Sequence, residues 1–329
     1  MTRARQRILS GMRPTGRLHL GHLVGALDNW VRLQEENDCF YCVVDWHALT
    51  TNYESTGEIR GAVIDNTMDW LAAGIDPERS VVFVQSRVLE HAELHLLLSM
   101  ITPLGWLERV PTYKEQMSEI SGRDLHTYGF LGYPTLQAAD VLIYKANAVP
   151  VGEDQAPHIE LTREIARRFN HLYGRVFPEP ATLLTEVPRL PGTDGRKMSK
   201  SYNNTIALTE KPEVMKETIR GMVTDPARVR RTDPGNPDVC PVGDYHKVFS
   251  TAERMAEVDR GCRTAGIGCI QCKGWLFESI QQRTAPIYER RKAIEARPDA
   301  VRDILAAGAD KARAVAAETM GEVREAMKI

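Results

Sequence analysis

Long apolar runs are missing from this chain. No uninterrupted apolar stretch in its 329 residues approaches the roughly 20 residues of a membrane-spanning helix, which excludes an integral helical membrane protein. The basic start, MTRARQRILSG, has no apolar run of the kind that directs secretion, so a cytoplasmic protein is expected. Positive charge is not in excess either. With 42 Lys and Arg against 44 Asp and Glu, DNA binding is not expected, and any RNA contact must rely on local patches. Internal repeats and low-complexity tracts are absent, which leaves no sign of a solenoid or fibrous chain.

Cysteine is scarce, six residues in all, and unevenly placed. Cys39 and Cys42 lie in CFYCVVDW, a buried-strand pattern in which positions three apart face opposite ways, so they read as apolar core thiols. The other four, Cys240, Cys262, Cys269 and Cys272, follow the pattern C-x21-C-x6-C-x2-C. A C-x2-C pair with two further cysteines meets the ligand count for Zn²⁺ or for a [4Fe-4S] cluster, and the spacing favours a metal over four unligated thiols.

The length predicts two domains. Up to about residue 205, ILSG, CFYCVVDW, VVFVQS and AVPVG read as strands alternating with helical patterns, the form of a Rossmann-like parallel α/β sheet. Leu20, Leu23, Val24, Leu27, Val31 and Leu33 share one helical face, and TGEIRGAVIDNTMDWLAAG forms a helix stopped by Gly74. A nucleotide site is expected at the carboxyl ends of the strands. From 206 to 329 the strand signals vanish, which predicts an all-helical domain, and Pro191 to Gly195 marks a loop before it.

Two segments suit polyphosphate. In SGMRPTGRLHLGHLVGAL, residues 10–27, a strand passes through a glycine-containing turn into a helix. Gly16 and Gly21 permit close approach, and His19 and His22 add donors; two surface histidines near a helix cap is the plainer alternative. In GTDGRKMSKS, residues 192–201, Lys197 and Lys200 can close over phosphates, although such a loop on its own is more often merely solvated.

Together, HLGH (19–22) and KMSKS (197–201) resemble the HIGH-type and KMSKS motifs of the class I aminoacyl-tRNA synthetases. Within that class VVDWHALT, QSRVLEHAEL, YPTLQAADVLIY and VPVGEDQAPHIELTREIARRFN are most similar to the tryptophan branch. The resemblance implies a catalytic domain over 1–205 and a helical anticodon-binding domain over 206–329. It implies ATP contacts from Arg13, Pro14, Thr15, Gly21, His22, Gly152, Glu153, Asp154, the backbone of Leu190, and Lys197, Met198, Ser199, Lys200 and Ser201. His22, Lys197 and Lys200 would be catalytic, acting with Mg²⁺ on the phosphates. Asp140 would accept the indole N–H of L-tryptophan, with Gln137 and Gln155 lining the same pocket. Lys114 is either a further substrate contact or a solvated lysine.

The implied partners are tRNA(Trp) and a second copy of the chain in a homodimer. Two departures, His22 for an asparagine and Gln137 for a methionine, look toward the tyrosyl enzyme, the same-class alternative, while GEDQAPHIELTREIARRFN points back to tryptophan. A subset of the tryptophan branch holds a [4Fe-4S] cluster with nearly the same cysteine spacing, so the resemblance favours iron–sulfur over Zn²⁺. ARVRR (227–231), YERRK (288–292), Trp275, Tyr245 and Tyr288 are candidate RNA contacts. A metal-bearing RNA-binding relative without aminoacylation is the alternative from another class.

Overall fold

The structure, a computed structural model, describes residues 5–119, 124–184, 190–199 and 202–329. Five parallel strands, β1 (Arg7–Met12), β2 (Asp38–Val43), β3 (Ser80–Val84), β4 (Ala148–Val151) and β5 (Ala181–Leu184), form one sheet in the order β3-β2-β1-β4-β5. The reversal of strand order beside β1 opens a crevice at the carboxyl ends of β1 and β4, the usual ligand position in such sheets. The sequence reading held four of these strands. β5 escaped it because ATLL lies on the open edge, with Leu184 63% exposed, and lacks a buried run.

The β2 pattern is explained by its two faces. Cys39, Tyr41 and Val43 enter one core with Ile8 and Trp30, whereas Phe40 and Cys42 enter the other with Leu9 and Phe83. The two thiols are thus core groups on opposite sides, as the spacing required. The predicted stop at Gly74 ends the helix Ile59–Ala73, in a left-handed conformation with φ 119° and its N–H donated to the carbonyls of Trp70 and Leu71.

Beyond residue 210 only helices follow: Pro212–Gly221, Pro241–Phe249, Ala252–Arg263, Cys269–Glu295 and Pro298–Met327, with one short 3-10 turn at Pro237–Val239. The helical half is bolted to the sheet half by charge. Arg291, 6% exposed, pairs with Asp65 and with the buried Asp69, and Arg290 donates to the Ala72 carbonyl at 2.6 Å. Arg291 of YERRK is therefore a buried anchor between lobes rather than an RNA contact. Tyr245 is also a core residue, fully buried, donating its hydroxyl to the Pro191 carbonyl at 2.9 Å.

The last helix returns to the sheet. Gly308 lies so close to β3 that a Cβ there would stand 1.9 Å from the Val82 carbonyl oxygen, and Arg313 reaches the Arg87 carbonyl while Arg324 pairs with Glu93. No described helix is long and apolar enough to cross a membrane.

Candidate active site and thiol cluster

The first phosphate segment begins where β1 stops. Thr15 donates its N–H to the Arg13 carbonyl at 2.9 Å and Gly16 takes φ 93°, a conformation glycine adopts without strain, so the chain turns sharply within Arg13, Pro14, Thr15 and Gly16. His19 then precedes the first turn, Leu20–His22, of a helical run that continues through a π-helical turn, Leu23–Leu27, into the helix Asp28–Glu36. The His19 N–H meets His22 Nδ1 at 3.2 Å, and the two rings lie 3.8 Å apart between centroids.

Gly21 is where the two motifs meet. A side chain there would come within 3.0 Å of the His19 ring and 3.3 Å of Met198 Sδ, so HLGH and KMSK are in contact across 177 positions of sequence. The chain that follows KMSKS seals the junction. Leu20 donates to the Ile206 carbonyl at 3.0 Å and Leu208 to the Leu18 carbonyl at 2.9 Å.

The loop itself is organised by Asn204, 2% exposed, which the sequence reading did not single out. Its Oδ1 accepts the Ser199 N–H at 2.8 Å, and its Nδ2 donates to Asp194 Oδ1 at 2.8 Å and to the Lys197 carbonyl at 3.1 Å. The Asn204 amide beside it, with Arg196, holds the Asp194 carboxyl down at about 2. Gly195, with φ 81°, supplies the turn, and Leu190 is buried one residue before Pro191. Lys200 and Ser201 lie outside the described residues.

Gly152, Glu153, Asp154 and Gln155 follow β4 at the same end of the sheet. Gln155 donates to Asp154 Oδ2 at 2.9 Å, and a Cβ on Gly152 would stand 2.7 Å from Asp154 Oδ1. Lys114, on the helix Pro111–Glu119, is exposed.

Asp140 is the most committed group in the crevice. It is 3% exposed on the helix Tyr128–Ile143, and it accepts from His47 Nε2 at 2.8 Å, His91 Nδ1 at 2.6 Å and Gln85 Nε2 at 2.8 and 2.9 Å. Burial alone would push its carboxyl up. The hydrogen bonds from His47 and His91 outweigh that and hold it well below the usual carboxylate range. Beside it, His158 lies between Gln137 Oε1, 2.7 Å from Nδ1, and Thr112 Oγ1, 2.5 Å from Nε2, with the Tyr133 hydroxyl 2.9 Å from Thr112. Burial pushes His158 down to about 4, so it is neutral near pH 7, donating from Nδ1 to Gln137 and accepting the Thr112 hydroxyl.

His47, Gln85, His91, His158 and Thr112 were missed as single residues. Four of them lie inside segments that drew attention as patterns, VVDWHALT, QSRVLEHAEL and VPVGEDQAPHIELTREIARRFN, but nothing in one sequence shows that positions 47, 85, 91 and 140 converge.

In the helical lobe Cys240, Cys262, Cys269 and Cys272 do converge. With Thr224, Asp225, Arg228, Val242 and Ile267 they line one cavity of about 20 Å³, roughly one water molecule's space. Cys240 precedes one helix, Cys262 ends another, and Cys269 and Cys272 open a third. Burial, then the neighbouring thiols, push Cys272 up to about 12, while Arg228 approaches Cys262 Sγ at 3.8 Å. Among the described residues no three His, Cys, Asp or Glu side chains stand ready-made around a metal ion. The donor set nonetheless fits a thiophilic centre, because all four thiols face one cavity and a guanidinium faces them.

Comparison with known proteins agrees with this geometry. The family described as "tRNA synthetases class I (W and Y)" matches residues 1–284. A tryptophan–tRNA ligase of Thermotoga maritima is 60% identical over 98% of this chain and 99% of its own, and one of Ralstonia nicotianae is 49% identical over 98% of each. A tryptophanyl-tRNA synthetase of Campylobacter jejuni, solved with ADP and tryptophan, superposes with a TM-score of 0.88 at 33% identity, covering 98% of this chain and 100% of its own. The chain belongs to the class I tRNA synthetases of the tryptophan and tyrosine group.

Proposed function

We propose that this chain is a tryptophan–tRNA ligase: it activates L-tryptophan with ATP to tryptophanyl-adenylate and transfers the aminoacyl group to tRNA(Trp). The observations that carry the reading are a buried, ionised Asp140 held by His47, Gln85 and His91, and the meeting of HLGH with Met198 of the second motif at Gly21. The tryptophan carboxylate attacks the α-phosphate, a new P–O bond forms, and the bond to the departing pyrophosphate breaks. No protein nucleophile is needed, so the work is positioning and charge stabilisation.

In this reading Arg13, Pro14, Thr15, Gly21 and His22 surround the triphosphate, Gly152, Glu153 and Asp154 take the ribose and adenosine, and the Leu190 backbone meets adenine. His22, Lys197 and Lys200 stabilise developing negative charge, and Met198, Ser199 and Ser201 complete the loop. Mg²⁺ would neutralise phosphate charge. Asp140 accepts the indole N–H, while Gln137 and Gln155 orient the rest of the amino acid. A ring without a donor in place of indole would leave the buried Asp140 carboxylate without that partner.

Residues 206–329 form the anticodon-binding part, where the exposed Arg230 and Arg231 and the half-buried Trp275 fit RNA contact. Cys240, Cys262, Cys269 and Cys272 would hold a [4Fe-4S] cluster, with Zn²⁺ the alternative, and the group would cross-link three helix ends. A homodimer fits the exposed Leu96, Met100 and Leu104, at 55%, 67% and 61%, on one side of the sheet half. A cytoplasmic location suits reduced thiols and a translational role.

Amino-acid-dependent pyrophosphate exchange on anaerobically purified protein tests the whole. Exchange with tryptophan and not tyrosine is expected. Exchange with tyrosine alone overturns the substrate assignment, and RNA binding without any exchange overturns the enzyme.

A further inference from the structure

Behind Asp140, on the side away from solvent, stands a second pair of groups. His91 and Tyr144 are both 0% exposed. His91 Nδ1 lies 2.6 Å from Asp140 Oδ1, and its Nε2 lies 2.6 Å from the Tyr144 hydroxyl. Phe40 stacks on the tyrosine ring at 4.8 Å and Phe83 meets its edge at 5.5 Å, so the phenol cannot turn elsewhere. Burial holds that phenol well above its ordinary pKa, so it keeps its proton.

These facts fix a direction. A neutral imidazole carries one N–H, and which nitrogen bears it is set by the partner of the other. A protonated phenol donating to Nε2 leaves the N–H at Nδ1, aimed at Asp140. The remaining oxygen, Oδ2, faces His47, on the helix Asp45–Asn52 that starts at the carboxyl end of β2 and so on the crevice side. A carboxylate offers about four acceptor positions: Oδ1 serves His91 and Gln85, and Oδ2 serves His47 while sharing the same Gln85 amide at 2.9 Å.

We propose that His91, its tautomer set by Tyr144, is a positioning residue for amino-acid selection: it pins Oδ1 of Asp140 so that Oδ2 is presented to the indole N–H. This rests on the reading that Asp140 is the indole acceptor. Selectivity for an N–H donor then depends on a tyrosine that never touches the substrate.

The test is pyrophosphate exchange with tryptophan and with β-(3-benzothienyl)alanine, in which sulfur replaces the indole N–H. In His91→Leu, KM for tryptophan rises about tenfold, the loss of one hydrogen bond to a charged group. KM for ATP and for the benzothienyl analogue stays within about twofold. His91→Asn places an amide N–H near the Nδ1 position and restores the tryptophan KM to within about threefold of the parent. In Tyr144→Phe, ¹⁵N NMR of the His91 ring shows the Nε2–H tautomer appearing, with a severalfold rise in tryptophan KM. The proposal is overturned if His91→Leu raises all three KM values alike, if it leaves tryptophan unchanged, or if the tautomer in Tyr144→Phe does not move. Asp140→Asn separates the two layers. If it keeps the preference for tryptophan, the Asp140 reading itself fails; if it abolishes the preference while His91→Leu keeps it, only the role of His91 fails.

Discussion

His158 shows how one buried side chain ties stability to acidity. It is 2% exposed and held down to about 4, against an ordinary value near 6.5. Between those values the unfolded chain binds a proton that the folded chain refuses, so stability is present in full above about pH 6.5 and is lost as pH falls toward 4. The loss amounts to about 3 kcal/mol, on the order of 1.4 kcal/mol per unit of pKa. Urea denaturation across that range should show the decline, and a His158→Gln variant should flatten it. A second prediction at this scale concerns Lys200. Its replacement by alanine should lower pyrophosphate exchange at least tenfold while tryptophan binding, measured by fluorescence, survives, since in the proposed function the lysine meets charge that develops only in the transition state. Unchanged exchange would remove Lys200 from the machinery.

Among the elements, four of the five strands, the Gly74 stop and the HLGH and KMSKS signatures were legible because each is local: alternation, a run length, a left-handed glycine, a short signature. What the sequence concealed is pairing at a distance. Asn204 looks like a loop residue until Asp194, Lys197 and Ser199 are seen bonding to it, and YERRK looks like an RNA patch until Arg291 is found beside Asp69. Tyr245 misled for the same reason, since an aromatic at helical spacing reads alike in a core and on a surface. The Arg291 anchor carries its own prediction. Arg291→Leu strands the buried Asp69 without its counter-charge and should cost about 3–5 kcal/mol, whereas a joint change of Arg291 and Asp69 to apolar residues should recover much of it. Thermal denaturation of both single variants and of the double variant decides, and a double loss equal to the sum of the two single losses would show that the pair is not coupled.

At the scale of the whole molecule, the two lobes are one mechanical object closed by the helix Pro298–Met327. Gly308→Ala puts a methyl group into the Val82 carbonyl, 1.9 Å away, so the helix must lift from β3 at a cost of about 3 kcal/mol or more. Calorimetry should record the fall, with tryptophan activation weakened as the sheet loosens. This arrangement also sets a clock on the making of the protein. β3 ends at residue 84, yet the glycine that seals it is residue 308, so on a ribosome releasing about 5–20 residues each second the sheet half waits more than ten seconds for its last covering. Through that interval β3 lacks one of its packing partners on a growing chain, and an enzyme needed to read tryptophan codons cannot itself be finished until its own final helix has emerged.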